Sequence, residues 1–255
     1  MNELVIKTLG TVSPYCYDKM NCSGYLVTYN DKKYLLDAGN GISRYIDFPN
    51  DLENLKVLIT HLHPDHFEEL SVLCQSAYVF QRLGMLKSKL EIFIPFSKDE
   101  INKTLTAYSF IHSLEDMYPV KVIDYDNLNI KDHDLEITSL RVPHQVTANA
   151  FRLETSAGVM VYSGDTGSQN NLREFSKNAD LLICESTYLQ GQLRMNDTHL
   201  YASEAGKIAR DAQVKKLLLT HFWPHLSKKL YVSEAKEYFP NTEAAYENKK
   251  LILRK

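Results

Sequence analysis

Four side chains of the types that bind metal ions fall within one six-residue run, His61–His66, which reads HLHPDH. The apolar run Val57–Thr60 leads directly into it and is typical of a β-strand. In an extended segment His61 and His63 project to the same side, so both imidazoles can bind one metal ion. The aspartate and the last histidine lie beyond a proline, where the chain should turn towards a neighbouring position. Imidazole and carboxylate are ligands that zinc accepts, and catalytic zinc sites leave a position open for water.

Residues of the same types follow apolar runs elsewhere in the chain. Leu135–Val142 precedes His144, Val159–Tyr162 precedes Asp165, Leu181–Cys184 precedes Glu185, and Lys216–Thr220 precedes His221. A lone histidine is more often a satisfied core or surface group than a ligand. For the whole set we expect the opposite, because strand ends that line one edge of a sheet make a rigid site. Four polar groups at a strand end without a metal would all need other partners.

Short β-rich runs and helical patterns alternate in both halves of the chain, which predicts a layered α/β protein. Further strands are expected at Leu4–Leu9, Gly24–Tyr29, Lys33–Asp37 and Phe151–Glu154 and from Val120, with a hairpin at Asn30-Asp31-Lys32. Helices are expected at Phe67–Leu90, Asn171–Lys177, Ala202–Asp211 and Ser233–Phe239, and from a capping box at Ser97 and Glu100 to about Asp116. No linker or fixed-period repeat divides the sequence, so we expect one domain over residues 1–255.

Composition excludes several classes of protein. The formal net charge of -3 argues against broad, sequence-independent binding to nucleic acid. No apolar run approaches the roughly 18 residues of a membrane span, and the N-terminus lacks a signal-peptide pattern, so we expect a cytoplasmic protein. The cysteines, at positions 16, 22, 74 and 184, have no CxxC spacing and are expected to be reduced. A metal or redox pair of Cys16 and Cys22 stays open as an alternative.

The HxHxDH run and its downstream partners, in their order and spacing, resemble the metallo-β-lactamase superfamily from Leu9 to Phe222. The resemblance implies a four-layer αββα sandwich and two divalent metal ions. Zinc is the expected metal, although manganese accepts the same ligands. The resemblance also implies which residues bind these ions. One would be held by His61, His63 and His144, the other by Asp65, His66 and His221, with Asp165 bridging both.

Two further motifs point to one branch of this superfamily. Cys184-Glu185-Ser186-Thr187 is similar to the HEAT motif of ribonuclease Z, and the segment 199–205, HLYASEA, resembles its histidine-bearing loop. Glu185 alone could be a helix-capping carboxylate and His199 alone a loop residue, but their joint occurrence with a full ligand set favours catalysis. By this resemblance Asp65 orients the attacking hydroxide and takes its proton. His199 donates to a phosphoryl or leaving oxygen, and Glu185 fixes its tautomer.

The absence of one insertion from the sequence indicates which substrate of this branch to expect. Ribonuclease Z proteins normally insert a Gly/Pro and basic-rich arm that grips transfer RNA, whereas Thr166–Cys184 is short and no such arm occurs elsewhere. The chain therefore looks like the compact bacterial and phage-encoded cyclic-nucleotide phosphodiesterases, including those that destroy cyclic pyrimidine signals in Pycsar defence. Relatives in this branch are commonly homodimers. Transfer-RNA 3′ processing, and thiolester or lactam hydrolysis on the same metal core, stay open as alternatives.

Aromatic residues near the expected site could hold a nucleobase. Tyr15, Tyr17 and Trp223 lie beside the predicted site loops, where a ring could stack on a base. The chain has 16 tyrosines, so ordinary packing is the more frequent explanation for any one of them. We interpret His225 as a loop histidine.

Overall fold

The computed structural model describes residues 2–96, 101–169, 171–194 and 196–255. Two sheets dominate it. The first has the strand order β14-β1-β2-β3-β4-β5-β6 and contains β1 (Glu3–Gly10), β2 (Gly24–Tyr29), β3 (Lys32–Leu36), β4 (Leu55–Leu58), β5 (Leu90–Pro95), β6 (Val120–Tyr125) and β14 (Lys250–Arg254). The second has the order β13-β12-β11-β10-β9-β8-β7 and contains β7 (Asn129–Asp132), β8 (Leu135–Val142), β9 (Ala148–Thr155), β10 (Gly158–Tyr162), β11 (Leu181–Glu185), β12 (Leu217–Thr220) and β13 (Thr242–Ala244).

Helices cover the outer faces of both sheets. They are α1 (Pro64–Phe67), α2 (Leu70–Arg82), α3 (Ile101–Met117), α4 (Leu172–Phe175), α5 (Ala202–Asp211) and α6 (Lys228–Lys236), with short 3₁₀ turns at Ile42–Tyr45 and Asn50–Leu52. One apolar cluster joins α2 and α3 to the first sheet, a second fills the space between the sheets, and a third joins α4, α5 and α6 to the second sheet. The predicted αββα sandwich is therefore confirmed.

Each sheet has antiparallel strands on one side and parallel strands on the other. The strands β3 to β6 run parallel in the first sheet, and β10 to β13 run parallel in the second. The sheets meet near the carboxyl ends of these strands, where the Tyr25 hydroxyl contacts the Thr220 hydroxyl and the Asn149 amide donates to the Thr60 carbonyl at 3.0 Å. Ligands of parallel sheets bind beyond these strand ends, so the loops that follow are placed to form a site.

The structure corrects two of the predicted helices. The helix expected over Phe67–Leu90 ends at Arg82, a turn at Gly84 follows, and Leu90 is already the first residue of strand β5. The sequence pattern had therefore joined helix α2 and the start of strand β5 into one predicted helix. The helix expected at Ser233–Phe239 is α6 and begins earlier, because its first buried residue is Lys228, which hydrophobic periodicity does not detect.

Other differences concern the edges of the sheets. The strands β7, β13 and β14 were not predicted, and each is the outermost strand of its sheet. β7 and β13 are short and contain few apolar residues, so their hydrophobic pattern is weak, whereas β14 has three apolar residues between charged ones. The capping box at Ser97 and Glu100 lies outside the described residues, while α3 agrees with the helix expected to end near Asp116. No helix in the described part of the chain is both long and apolar enough to cross a membrane.

Candidate metal centre

Three histidines converge on one point at the rim between the sheets. His63 Nδ1 lies 3.1 Å from His61 Nε2 and 3.0 Å from His144 Nε2. The Oδ2 atom of Asp165 lies 3.6 Å from His61 Nε2 and 3.9 Å from His144 Nε2. These four side chains, which we call the first cluster, present ligand atoms that all lie within 4.8 Å of one another.

A second cluster, formed by Asp65, His66 and His221, lies next to the first. The Nε2 atoms of His66 and His221 are 3.4 Å apart, and Asp65 Oδ2 lies 3.7 Å from the first and 3.5 Å from the second. All three residues are buried. His221 has a left-handed backbone conformation, φ 61°, which is uncommon for a non-glycine residue and is found at functional sites.

Asp165 connects the two clusters through its two carboxylate oxygens. While Oδ2 faces the first cluster, Oδ1 lies 3.1 Å from His221 Nε2 and 3.4 Å from His66 Nε2. This Oδ1 atom is buried and makes no hydrogen bond of acceptable geometry with the described residues, although a buried carboxylate oxygen normally has a partner. A cation between the clusters would satisfy it.

In four histidines, the ring nitrogen Nδ1 faces away from the clusters and is within hydrogen-bond distance of another protein group. Their partners, at 2.7–3.0 Å, are Thr60 Oγ1 for His61, Asp37 Oδ2 for His66, the Thr198 carbonyl for His144 and Thr187 Oγ1 for His221. A carbonyl can only accept, so the Nδ1–H of His144 donates and its Nε2 has a lone pair in the neutral ring. Such outer partners fix the tautomer and orientation of metal-binding histidines.

Asp37 is a functional residue that the sequence patterns did not identify. It is fully buried, and its carboxylate accepts hydrogen bonds from the Thr60 amide at 2.7 Å, the Thr60 hydroxyl at 2.9 Å and the Tyr162 hydroxyl at 2.8 Å, besides its 2.7 Å contact with His66. A signal for it exists in the sequence. Asp37 directly follows the apolar pair Leu35-Leu36, as Glu185 directly follows Leu181–Cys184, and we expected it only as the last residue of a strand.

Comparison with known proteins places the chain in a family. The sequence profile of the β-lactamase superfamily domain matches residues 32–222, which is most of the chain. The chain belongs to the metallo-β-lactamase superfamily. The resemblance drawn from the HxHxDH run is therefore confirmed, and the His/Asp clusters are consistent with a divalent metal site of this superfamily.

Relatives of known sequence lie in the ribonuclease Z-like part of the superfamily. The probable metallo-hydrolase YhfI of Bacillus subtilis is 31% identical over 205 residues, covering 80% of this chain and 80% of YhfI. Ribonuclease Z of Brevibacillus brevis is 26% identical over 306 residues, covering 95% of this chain and 94% of that protein. The chain is thus a metallo-hydrolase related to ribonuclease Z.

Solved structures agree with this assignment. The crystal structure of YhfI superimposes with a TM-score of 0.86 at 25% identity, covering 98% of this chain and 99% of YhfI. The short form of human tRNase Z superimposes with a TM-score of 0.71 at 20% identity, covering 97% of this chain and 98% of that one. At this lower identity the second comparison shows the common fold alone.

The histidines of the two clusters differ in the direction in which their pKa values are shifted. In the first, burial and then a neighbouring histidine lower the pKa of His63 to about 4 and the pKa of His61 well below its ordinary value. In the second, burial would also lower the pKa of His221, but the charge of Asp165 outweighs it and raises that pKa to about 10. The first cluster therefore presents neutral rings, whereas His221 must lose a proton before it can bind a metal.

His199 and Glu185 form a hydrogen-bonded pair beside the metal-ligand residues. His199 Nδ1 lies 3.0 Å from Glu185 Oε1, and Glu185 also accepts from the Thr166 amide at 3.0 Å and the Thr187 hydroxyl at 3.0 Å. Burial alone would lower the pKa of His199, but Glu185 and then Asp165 raise it. One ring nitrogen of His199 also lies within 4.8 Å of ligand atoms of Asp165 and His221. His199 is therefore close enough to these two residues to share a metal ion with them.

The paired cysteines lie on a loop next to this centre. Cys16 Sγ and Cys22 Sγ are 4.0 Å apart, and both thiols are free, with Cys16 exposed and Cys22 buried. Burial raises the pKa of Cys22. Neither cysteine belongs to a metal-ligand group within the described ranges, so the structure does not support a metal site here.

Proposed function

We propose that the chain is a phosphodiesterase that binds two divalent metal ions and hydrolyses small phosphodiesters, foremost 3′,5′-cyclic nucleotides. The observation that carries this proposal is the position of Asp165, which is buried with one carboxylate oxygen facing each cluster. Paired metal ions about 3.5–4 Å apart are typical of enzymes that cleave phosphate esters.

The donor atoms of the two clusters fit divalent ions. The first cluster would hold one ion, the second cluster the other, and Asp165 would bind both. Imidazole and carboxylate suit zinc, which we propose as the metal, and manganese accepts the same ligands. When bound, such ions supply Lewis acidity and make a water molecule more acidic.

Proton transfer is assigned to two residues of the chain. Asp65 accepts a hydrogen bond from the Ser13 hydroxyl at 2.8 Å, and its carboxylate would orient the attacking water and take its proton. Glu185 holds Nδ1 of His199, so Nε2 is the ring nitrogen left for the substrate. The raised pKa of His199 keeps this ring protonated nearer neutral pH, which suits a donor to a phosphoryl or leaving oxygen.

Three observations support a small substrate. The alignment with the ribonuclease Z of Brevibacillus brevis extends over 306 residues, more than the 255 of this chain, so that relative has segments which this chain lacks. Between Asp165 and Glu185, the described residues form only turns, the short helix α4 and strand β11, with no protruding arm. The formal charge of -3 is also unfavourable for gripping transfer RNA.

Cyclic pyrimidine nucleotides, destroyed in evasion of Pycsar defence, are the narrower form of this proposal, and we propose a homodimer as the working assembly. The second candidate function is transfer-RNA 3′ processing. It is favoured by similarity to ribonuclease Z over most of both chains. No contact of the described residues favours thiolester or lactam hydrolysis.

The proposal is tested by turnover of a panel of 3′,5′-cyclic mononucleotides beside a 3′-extended transfer-RNA precursor, at fixed zinc or manganese. We expect cyclic-nucleotide hydrolysis by the wild type and by Asp211→Ala, a control at an exposed position of α5, and loss in Asp165→Ala. Cleavage of the transfer-RNA precursor alone would favour the second candidate. Hydrolysis that survives in Asp165→Ala would contradict the metal-bridging role.

A further inference from the structure

Four exposed residues with rings, Tyr15, Tyr17, Trp223 and His225, lie on two loops that leave the metal centre, and we call them the aromatic wall. Tyr17 and His225 have ring centroids 4.4 Å apart, and Tyr15 and His225 have centroids 6.1 Å apart. The Tyr15 hydroxyl also lies 3.0 Å from His225 Nε2. Trp223 is two positions before His225 on the same loop.

The two loops of the aromatic wall are anchored on residues of the metal centre. The first loop begins at Ser13, whose hydroxyl donates to Asp65 and whose amide donates to the Phe222 carbonyl at 3.1 Å. The second loop follows His221 directly. A shift at the base of either loop would therefore disturb the second cluster.

The rings are exposed although they are large. Tyr15, Tyr17 and Trp223 have 44%, 46% and 38% of their surface accessible. The loop that carries the tyrosines is nevertheless ordered by hydrogen bonds, since Tyr17 and Met20 exchange two backbone bonds of 3.2 Å and 2.9 Å. Clustered exposed apolar surface marks a binding site more often than scattered residues do.

The chemistry of this surface fits a nucleobase. Flat rings stack on bases, and such stacking tolerates different bases because each has a π face. Among the described residues, no carboxylate takes part in the ring contacts of the wall, so the surface suits an uncharged planar group attached to an anionic phosphodiester.

We infer that the aromatic wall binds the base of a nucleotide whose phosphodiester lies at the metal centre, with Tyr17 and Trp223 as residues that determine specificity. This inference rests on the proposed phosphodiesterase function. If the wall binds a base, the protein should prefer a cyclic phosphodiester that has a base to one that has the same sugar and no base.

The kinetic test compares a cyclic nucleotide with 1-deoxyribose 3′,5′-cyclic phosphate, which lacks the base. Tyr17→Ala should lower the ratio of kcat/KM for the cyclic nucleotide to that for the abasic substrate roughly 5- to 150-fold, the effect of losing one base–aromatic stack. Tyr17→Phe should keep the ratio. Tyr78→Ala, at a tyrosine of α2 that is 42% exposed, is the matched control and should also keep it.

A binding test separates this inference from the proposed function. Trp223 is the single tryptophan of the chain, so its fluorescence reports on the wall alone. Nucleoside 3′,5′-cyclic phosphorothioates, which resist hydrolysis, should quench it, and the abasic analogue should not. Phosphodiester hydrolysis without base-dependent quenching or ratio change would overturn the inference and leave the proposed function intact. Base-dependent quenching without any hydrolysis would support base binding by the aromatic wall and contradict the proposed phosphodiesterase function.

The competing occupant of the wall is a second copy of this chain. Light scattering on wild type and Tyr17→Ala distinguishes the two. An unchanged oligomeric state together with the lowered ratio supports base binding. Dissociation of a dimer, with equal losses for both substrates, would show that the wall is a subunit interface and would overturn the inference.

Discussion

At the scale of single residues, Asp37 acts on the metal centre through His66. Because its carboxylate holds Nδ1 of His66, the Asp37→Asn variant should lose the charge that orients this ring and favours a bound cation. We expect metal affinity to fall about 10- to 100-fold, as for other outer partners of metal ligands. Competition with a chromogenic chelator measures it, with Asp211→Asn as the control. Equal affinities in the two variants would contradict a positioning role.

The role of His199 can be separated from metal binding. If His199 donates a proton to the substrate, His199→Ala should lower kcat about 10²- to 10⁴-fold while metal content stays at the wild-type level. His61→Ala should lose both activity and metal, because its Nε2 lies in the first cluster. Measuring both metal content and turnover of the two variants distinguishes a proton donor from a metal ligand. Metal loss in His199→Ala would make it a ligand, which its distance from Asp165 and His221 permits.

The charges of the second cluster predict how a chelator-treated preparation responds to pH. Against the effect of burial, Asp165 raises the pKa of His221 from 6.5 to about 10, so its protonated ring stabilises the fold below pH 6.5. This contribution is lost as pH rises from 6.5 to about 10. Against burial, His66 lowers the pKa of Asp65 from 3.8 to about 2, so its contribution is lost as pH falls through that window.

Burial lowers the pKa values of His61 and His63, so their contribution to stability is lost as pH falls below 6.5 and these rings take up protons. The urea midpoint of this metal-free protein should therefore be highest near pH 6.5, with a decline on the alkaline side that follows His221. His221→Gln, which cannot be protonated in this range, should flatten the alkaline decline. An equal decline in that variant would assign the pH dependence to other groups.

At the scale of elements, the segment after β3 lies against the short helix α1, which carries Asp65. A Cβ atom on Gly39 would stand 2.0 Å from the Asp65 carbonyl oxygen, so Gly39→Ala must displace one of these backbones. We expect a loss of about 1–3 kcal/mol in unfolding free energy, together with weaker metal binding. Denaturant unfolding and metal analysis measure the two effects.

Gly84→Ala provides the comparison. Gly84 has φ 70°, and a Cβ atom added there would meet none of the described residues beyond its chain neighbours within 4 Å. Alanine at this position therefore strains the backbone without touching the site. It should cost about 1 kcal/mol and leave metal content unchanged. Metal loss of the same size in both variants would show that general destabilisation, rather than the position of Asp65, controls the site.

The elements also show where sequence reasoning succeeded. Buried strands that run directly into a ligand-type residue, such as β12 before His221, are recognisable because the apolar run and the polar residue are adjacent. The end of α2 was missed because apolar residues continue its pattern past the turn, at Met85 and Leu86 and at Leu90, where β5 begins. The partners of the histidines are mostly threonines and a carbonyl, which have no pattern until the fold brings them together.

At the scale of the whole molecule, the metal centre joins the two sheets. His61 and His63 follow β4 of the first sheet, whereas His144, Asp165 and His221 follow strands of the second. Bound ions would therefore connect both halves of the sandwich. The unfolded chain has no such preformed site, so binding free energy becomes folding free energy.

Removal of metal should lower the thermal stability of the molecule in a reversible way. An ion present at 1,000 times its Kd adds about 4.1 kcal/mol, and each kcal/mol shifts the Tm of a chain of this size by about 2–4 °C. We expect a chelator to lower Tm by about 8–16 °C and zinc to restore it. Asp165→Ala, which cannot join the clusters, should show little of this response. A Tm that does not change on chelation would mean that the two sheets are held together by the buried apolar layer alone, with the metal ions serving only the chemistry.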